Sequence, residues 1–244
     1  STTDFEIAER HSLDKEQIID LEGRLLPIAG EFAGQHIKDA RAKIIEKLQS
    51  KGLVTKIEDD YVHQVATAER TGEIIEPQIM RQWFVGVERE FERDGKMVTL
   101  KSLMQGAIKS RGGDVTLLPS RFEKNYFHWI DNLRDWCISR QIWYGHRIPV
   151  FYRGDEVLCS DVTPAGEGWE QDPDTLDTWF SSALWSFSTL GWGYDEALWE
   201  SQKKYHPTSL LETGYDILPF WVSRMILMST YLLGEVPYKT VYLH

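Results

Sequence analysis

Residues 213–225, TGYDILPFWVSRM, constrain the fold more strongly than any other part of the chain. They follow the apolar pair Leu210-Leu211 and pass through a glycine and an acidic residue into a long apolar stretch. This order predicts a strand, a turn and a helix. In an open α/β sheet such a turn lies at the carboxyl end of a strand, which is where ligands bind.

Two interpretations of this turn stay open. In a ligand site, Gly214 lets a ligand approach the backbone closely, and Asp216 can bond to free N–H groups of the helix start or to ligand hydroxyls. Ile217 and Trp221 are four residues apart, so on an α-helix they share a face. The turn would then offer a polar contact for a sugar and an apolar wall for a small side chain. A buried core helix with a capping aspartate explains the same pattern, and spacing alone favours it.

Composition excludes several classes of protein. The 244 residues suffice for one large domain or two smaller ones. No apolar run approaches the roughly 18 residues of a membrane span, and the first residues do not resemble a signal peptide. The net charge of −11 disfavours a broad basic face for nucleic acid, so any such contact needs a local patch. Cys137 and Cys159 form no CxxC pair, and a reduced, cytoplasmic location is expected.

The rest of the pattern predicts alternating helices and strands. Helices are expected at 4–11, at 35–51 with Gly52 as its stop, at 88–109, at 121–133 and from 175 onward. Strands are expected at 53–56, 61–68, 210–211 and 239–244, and a turn at 70–73. The last two strands and the helix between them would form half of a doubly wound parallel sheet.

Two further stretches have a distinctive composition. Residues 135–152 combine aromatic, arginine and histidine side chains, which is typical either of a strand-rich ligand wall or of a buried aromatic turn. Residues 153–174 are polar and contain glycines and prolines, so they predict a surface excursion or a small β appendage.

The common catalytic motifs are absent from the sequence. There is no G-x-x-x-x-G-K-[ST], no G-x-G-x-x-G and no G-x-S-x-G. The histidines and cysteines lack the spacing of a zinc site. Asp172, Asp174 and Asp177 could bind a hard cation, but the turn residues around them favour capping and solvation. The residues alone therefore predict a cytoplasmic α/β domain with a tryptophan-lined pocket.

Four segments together resemble the valyl-tRNA synthetases, which are class I aminoacyl-tRNA synthetases. They appear in the family's order, cover nearly the whole chain and are highly specific as a set. The isoleucyl and leucyl relatives differ around Asp177 and Asp216. The segments are IEP at 75–77 with QWFV at 82–85, DWCISRQ at 135–141 with GH at 145–146, LDTWFSS at 176–182, and TGYDI at 213–217 with WVSRM at 221–225.

The resemblance implies ATP-dependent activation of valine, with Mg²⁺ accompanying the ATP, and transfer of valine to the 3′ end of tRNA(Val). Catalysis would rest on positioning and on charge stabilisation around phosphates. Trp179, Ile217 and Trp221 match positions that wall the valine pocket. Gly214 and Asp216 match positions near the adenosine, with Asp216 suited to the ribose hydroxyls, and His244 would lie near the nucleotide.

The resemblance also implies hydrolytic editing of mischarged Thr-tRNA(Val). Threonine is nearly isosteric with valine, and valyl-tRNA synthetases are the standard example of such weak rejection. Asp4 matches the carboxylate that would hold the α-amino group of a threonyl ester. Without the family, Asp4 would be interpreted as a helix N-terminal aspartate. Ser1 stands where an acidic editing residue is usual.

Some motifs of the family are missing from this chain, and their absence indicates which part of the enzyme it represents. The His-x-Gly-His and Lys-Met-Ser-Lys-Ser signatures are absent, so we expect an internal fragment that is inactive alone in aminoacylation. Only Cys159 stands where some members carry a zinc ribbon, so no zinc is expected. The expected parts are the C-terminal part of an α+β editing domain (1–78), a connecting region (79–150), a shortened ribbon-like insertion (151–175) and the second half of a Rossmann-like catalytic domain (176–244).

Two other functions remain as alternatives. The chain could be a stand-alone deacylase of mischarged tRNA, or a non-catalytic tRNA-binding module, against which the net charge of −11 argues. The expected partners are valine, ATP and tRNA(Val), with no membrane. Exposed sheet edges could also lead the chain to associate with itself.

Overall fold

The computed structural model describes residues 2–62, 64–68 and 71–244. Contacts divide the chain into two compact units, Ser1–Arg81 and Gln82–His244. Ser1, where the resemblance led us to expect an acidic editing residue, and Arg70 of the predicted turn lie outside the described residues. The four domain boundaries expected from the sequence stay predictions.

The first unit is built around two helices, α1 (Thr2–His11) and α2 (Ile37–Ser50), with a 3₁₀ turn at Pro27–Phe32 between them. Both helices confirm the prediction. The His36 ring caps α2 by accepting a hydrogen bond from the backbone N–H of Lys38 at 3.2 Å. Gly52 follows with a φ of +67°, a conformation that glycine adopts without steric cost.

The strands predicted at 53–56 and 61–68 are wrong for the described residues there. These residues form loop, with one isolated bridge between Thr67 and Ile74. Leu53 is 66% exposed and Val62 is 91% exposed, so no packed layer covers an alternating strand. Ala40 is the one buried apolar side chain among the described residues of this unit.

The second unit contains short strands and helices that alternate along the chain. The strands are β1 (Phe84–Val85), β2 (Phe91–Arg93), β3 (Lys96–Val98), β4 (Thr116–Leu118), β5 (Trp136–Cys137), β6 (Ser139–Arg140), β7 (Val150–Arg153), β8 (Glu156–Cys159), β9 (Glu170–Gln171), β10 (Thr175–Leu176), β11 (Thr208–Thr213) and β12 (Tyr238–Leu243). The α-helices are α3 (Leu100–Gly106), α4 (Phe122–Asp131), α5 (Thr178–Ser182), α6 (Trp185–Ser188), α7 (Glu196–Gln202) and α8 (Ser223–Leu232).

The parallel sheet has the order β11-β12-β4 and confirms a mixed α/β fold. Helix α8 connects β11 to β12, and the register pairs Leu211 with Val241 and Val241 with Leu117. Residues 223–230 of α8 are all buried, as are Val241 and Leu117 on the strands. Strand β4 was not predicted, because three residues before a proline resemble a helix-capping loop as much as a strand.

The predicted helix at 88–109 is partly wrong. Its first half is a hairpin of β2 and β3, and only α3 is helical. The hairpin turns at Asp94-Gly95, where both residues have positive φ values of 51° and 73°. An Asp-Gly pair is the strongest short signal for such a turn, and the charged residues around it concealed the signal.

Residues 150–171 form a three-stranded antiparallel sheet in the order β8-β7-β9, which confirms the predicted β appendage. Within the described ranges, no helix is long and apolar enough to cross a membrane.

Candidate functional site

The carboxyl ends of β11 and β12 meet at one edge of the parallel sheet. The backbone N–H of His244 donates to the Thr213 carbonyl at 3.2 Å, and the N–H of Tyr215 donates to the His244 carbonyl at 3.1 Å. Gly214 lies between these two bonds. The structure therefore brings Gly214 and His244 to one edge, with Asp216 two residues further on.

Asp216 folds back over Gly214. A Cβ atom placed on Gly214 would collide with Oδ1 of Asp216. Gly214 has a φ of −62°, which any residue adopts, so glycine is not required here by its backbone conformation. The carboxylate of Asp216 is exposed at the sheet edge. The Glu212 carboxylate lies 3.7 Å from Nδ1 of His244, and this acidic neighbour was missed because it sits inside a strand.

The helix that follows this turn begins irregularly. A 3₁₀ turn covers Tyr215–Ile217 and a π-helical turn covers Leu218–Val222 before α8 begins at Ser223. Pro219 lies at the start of the π turn, a position where its missing backbone N–H costs little. The Leu218 carbonyl accepts the backbone N–H of Ser223, five residues further on, and also the Ser223 hydroxyl at 2.8 Å. Single π turns occur frequently at functional sites.

The i, i+4 relation assumed between Ile217 and Trp221 is therefore wrong, because the interval is not α-helical. Ile217 ends the 3₁₀ turn and Trp221 lies in the π turn, and both side chains are half-buried. Their assignment to a valine pocket stays a prediction that rests on the family resemblance.

An aromatic wall joins Trp179 to the π turn. The Trp179 ring stacks on Phe220, with centroids 5.8 Å apart and an interplanar angle of 23°. The Trp221 indole donates to the Ser182 carbonyl of the same helix α5 at 3.0 Å. The structure thus brings the two predicted tryptophans together, and it adds Phe220, which the sequence analysis did not select.

Helix α5 is positioned by a buried carboxylate. Asp177 is 6% exposed and caps α5 by accepting from the backbone N–H of Trp179 at 3.3 Å. Its other oxygen accepts from the Trp136 indole at 3.0 Å and from Arg140 Nη2 at 2.9 Å. A buried charge is tolerated where it is paired and hydrogen-bonded in this way.

Arg224 completes this cluster from α8. Its guanidinium lies 3.8 Å from the centroid of the Trp136 ring and 5.0 Å from that of Trp129. Burial lowers the pKa of Arg224 to about 10, although the Asp177 carboxylate favours the charged form. In the described part of the chain, Nη1 of Arg224 has no hydrogen-bond partner, so the flanking aromatic faces supply much of its stabilisation.

A second hydrogen-bonded group joins Gln82-Trp83 to the same region. The Trp83 N–H donates to the Ser139 hydroxyl at 2.9 Å, and that hydroxyl donates to Gln82 Oε1 at 2.8 Å. The Trp83 indole donates to Asp172 at 2.8 Å. Burial raises the pKa of Asp172, but hydrogen bonds from Trp83 and Tyr152 outweigh this and lower it. The segment at 82–83 is therefore bonded to β6, the strand that also carries Arg140, the partner of Asp177.

Other candidate positions lie elsewhere. Asp4 is an exposed residue of α1 in the first unit. A cleft of about 540 Å³ is lined by residues 192–196 with Trp199 and Glu200, and another of about 320 Å³ lies along α2; neither contains a predicted pocket residue. Among the residues the structure describes, no three His, Cys, Asp or Glu side chains are grouped to hold a metal ion.

Comparison with known proteins identifies the family. The chain matches the family model described as tRNA synthetases class I (I, L, M and V) over residues 3–166 and 160–244. It is 44% identical to a valine--tRNA ligase of Geobacillus kaustophilus over 246 residues, which are 99% of this chain and 26% of that protein. It is 42% identical to a valine--tRNA ligase of Bacillus subtilis, again over 99% of this chain and 26% of that protein.

The chain thus spans about a quarter of the length of the curated relatives it matches. A further match is a chain in the crystal structure of the ternary complex LeuRS-tRNA-LeuAMS of Agrobacterium radiobacter K84. It has a TM-score of 0.37 and 16% identity, and it covers 51% of this chain and 22% of that one.

Proposed function

Because the chain belongs to the class I tRNA synthetases (I, L, M and V), we propose that it supplies the amino acid side of the active site of a valine--tRNA ligase. The whole enzyme would activate valine with ATP and transfer it to the 3′ end of tRNA(Val). The observation that carries this proposal is the contact of the Trp179 helix with the Trp221 turn, directly after the carboxyl end of β11. In an open parallel sheet this edge is where ligands bind.

Trp179, Ile217 and Trp221 would wall the pocket for the valine side chain. Trp179 and Trp221 are half-buried, so each presents part of an apolar ring to a ligand while the rest packs against the core. The Asp177 cluster would hold α5, and with it Trp179, at a fixed distance from the π turn. An apolar pocket of fixed width can exclude a larger side chain but cannot strongly reject threonine.

Gly214, Asp216 and His244 would bind the adenosine of valyl-adenylate. The exposed carboxylate of Asp216 suits two vicinal ribose hydroxyls, because carboxylate oxygens only accept and hydroxyls donate. Gly214 would allow the nucleotide to lie close to the backbone. ATP and Mg²⁺ would arrive together, and we assign no residue of this chain to the metal ion.

Catalysis would then rest on positioning the reacting groups. The pocket would hold the valine carboxylate against the α-phosphate, and no covalent intermediate with the protein is needed. Residues that handle the outer phosphates match no segment of this chain, so we propose that the 244 residues bind but do not activate valine.

Asp4 would belong to a separate editing site. Its carboxylate could pair with the α-amino group of a threonyl ester in a charge-assisted bond. The proposed division has the editing part at 1–78, a connection at 79–150, a β insertion at 151–175 and the catalytic half at 176–244. We expect the whole enzyme to be cytoplasmic.

Binding of a non-hydrolysable valyl-adenylate analogue to the chain, measured by isothermal titration calorimetry, tests the proposal. We expect the valyl analogue to bind, the threonyl analogue to bind only slightly more weakly, and the isoleucyl analogue to bind poorly. Trp179→Ala should abolish the preference. ATP–pyrophosphate exchange should be undetectable with the chain alone.

Absence of analogue binding would contradict the proposal. Valine-dependent ATP–pyrophosphate exchange would contradict the proposed inactivity. Release of threonine from threonyl-tRNA by the chain would favour the alternative of a stand-alone deacylase, and tRNA binding without analogue binding would favour a non-catalytic module.

A further inference from the structure

The larger cleft of the second unit is lined by aromatic rings and carboxylates. It has a volume of about 540 Å³, which is within the range of small-molecule sites. The loop before α7 and the first turns of that helix form its walls. The described residues that line it include no basic side chain and no residue of the proposed valine pocket. They are Trp192, Gly193, Tyr194, Asp195, Glu196, Trp199 and Glu200.

Two of the three rings in this cleft are anchored in the fold and one is open. Trp192 and Trp199 are half-buried and pack against the core. The Trp192 ring meets Phe187 edge to face, with centroids 5.1 Å apart, and the Trp199 ring lies 6.2 Å from that of His206. Tyr194 is 70% exposed, so most of its ring surface is available to a ligand.

The main chain around the cleft is fixed by short-range hydrogen bonds. The N–H groups of Tyr194 and Asp195 donate to the Gly191 carbonyl at 3.2 and 2.9 Å. The Trp199 N–H donates to the Asp195 carbonyl at 2.9 Å, and the Asp195 carboxylate caps α7 by accepting from the Leu198 N–H at 2.9 Å. The cleft is therefore formed by the chain itself and does not need a ligand to shape it.

The cleft carries an excess of negative charge. Glu200 is paired with Lys203 at 2.6 Å. Asp195 uses one oxygen for the helix cap but keeps its charge. No group of the described residues donates to the exposed carboxylate of Glu196. Two of the three carboxylates thus lack a cationic partner there, so the cleft should attract cations and repel anions.

The lining favours one class of cation. A bare metal ion is not favoured, since no three carboxylates of the described cleft are grouped to hold one. A primary ammonium or a guanidinium must donate several hydrogen bonds, and of the three carboxylates only Glu196 has both oxygens free to accept them. A quaternary ammonium donates none. Its charge is spread over methyl groups that lie favourably against aromatic faces.

From these observations we propose that the cleft binds a quaternary ammonium group. Its methyl groups would contact the rings of Trp192, Tyr194 and Trp199, and Glu196 would supply the counter-charge. A free ligand such as choline carries this group, and so does a trimethylated lysine of a protein. The site is separate from the proposed valine pocket, and its test is independent of binding of the valyl-adenylate analogue.

NMR spectroscopy of the tryptophan indole N–H groups tests this proposal on the full chain. Choline is the probe, and its uncharged analogue, in which a carbon atom replaces the nitrogen, is the control ligand. We expect choline to shift the indole signals of Trp192 and Trp199, which Trp192→Phe and Trp199→Phe identify. The uncharged analogue should shift neither signal. The signals of Trp179 and Trp221 should stay unchanged with both ligands.

Substitutions of two exposed residues separate the ring from the charge. Tyr194→Ala and Glu196→Gln should each weaken choline binding about three-fold, and Tyr194→Phe should retain most of the affinity. Tyr205→Ala, at a tyrosine that is 58% exposed outside the cleft, should have no effect. Glu90→Gln, at an exposed glutamate outside the cleft, should have none either.

A peptide with trimethylated lysine and its unmethylated form distinguish the two sources. Tighter binding of the methylated peptide than of choline would support a protein side chain as the ligand, and the reverse would support a free one. The proposal is overturned by equal shifts with choline and its uncharged analogue, or by equal binding of both peptides. Unchanged choline affinity in Tyr194→Ala and Glu196→Gln, or no binding up to about 10 mM choline, would also overturn it.

Discussion

The indole N–H of Trp221 donates a hydrogen bond of 3.0 Å to the main-chain carbonyl of Ser182, although 39 residues separate the two. The π turn that carries Trp221 is thereby joined to the helix that carries Trp179. Trp179 adds a second contact by stacking on Phe220. One polar and one aromatic contact therefore connect the two proposed walls, and each can be removed separately.

Replacing Trp221 with phenylalanine should lower the free energy of unfolding by about 1 kcal/mol, because the Ser182 carbonyl loses its donor. The apolar bulk of the wall is largely kept. Urea unfolding followed by tryptophan fluorescence measures the change. Trp185→Phe, at a tryptophan that is 55% exposed, is the matched control and should change stability little. Equal effects of the two substitutions would contradict a role for this hydrogen bond.

Asp177→Asn should lower the free energy of unfolding by about 3 kcal/mol, since it leaves Arg140 and the buried Arg224 without their shared carboxylate. Asparagine caps helices nearly as well as aspartate, so the loss reports charge pairing rather than capping. Asp195→Asn, at the exposed cap of α7, should change stability by less than about 0.5 kcal/mol. Chemical denaturation measures the free energy of unfolding of both variants. Similar decreases in the two variants would contradict a stabilising role for the buried charge cluster.

Gly191→Ala should be strongly destabilising. A Cβ atom there would lie 2.7 Å from both the Asp195 carbonyl oxygen and the Trp199 nitrogen, and the φ is +101°. Gly193 has a similar φ of +87° but has open space around it. Gly193→Ala should therefore cost about 1 kcal/mol from the backbone alone, and Gly191→Ala clearly more. Thermal unfolding of the two variants separates the cost of the steric clash at Gly191 from the cost of the positive φ. Equal melting temperatures would contradict the predicted clash.

Asp216→Asn should weaken binding of the valyl-adenylate analogue about ten-fold, because a neutral amide oxygen is a poorer acceptor for the ribose hydroxyls than a carboxylate. Calorimetry with an analogue that lacks both ribose hydroxyls provides the control. The wild type and the variant should bind that analogue equally. If the variant is equally weakened towards both analogues, Asp216 acts on the shape of the turn and not on the ribose.

His206 should make stability depend on pH. Burial lowers its pKa below the ordinary value, and the Ser186 carbonyl and Glu235 offset this only in part. The folded chain therefore holds this proton less tightly than the unfolded chain. The resulting stability is complete above the unfolded pKa of about 6.5 and is lost as the pH falls through the folded pKa.

Urea unfolding from about pH 7 to pH 5 measures this effect. The free energy of unfolding should fall more steeply in the wild type than in His206→Gln, and the comparison of slopes cancels the contribution of other titrating groups. His128→Gln, at an exposed histidine, is the control substitution. Parallel slopes for the wild type and His206→Gln would contradict the lowered pKa of this half-buried histidine.

Local sequence patterns predicted the regular elements well and the irregular ones poorly. Helix α2 and the β11–α8–β12 unit follow from apolar spacing, since a period of 3.6 or 2 repeats over enough residues to be distinctive. The hairpin at Asp94-Gly95 and the three residues of β4 are too short for a period to show. The irregular start of α8 at residues 215–222 is also too short for its apolar residues to distinguish it from an α-helix.

The sequence by itself determined the family, the parallel α/β unit and the residues worth testing, because those depend on residue identity and short-range order. Only the tertiary structure decided how three of the four signature segments meet at Asp177, and that Phe220 joins the aromatic wall. Those relations join residues far apart in the chain. They depend on which side chains share a buried space, and neither spacing nor composition encodes that.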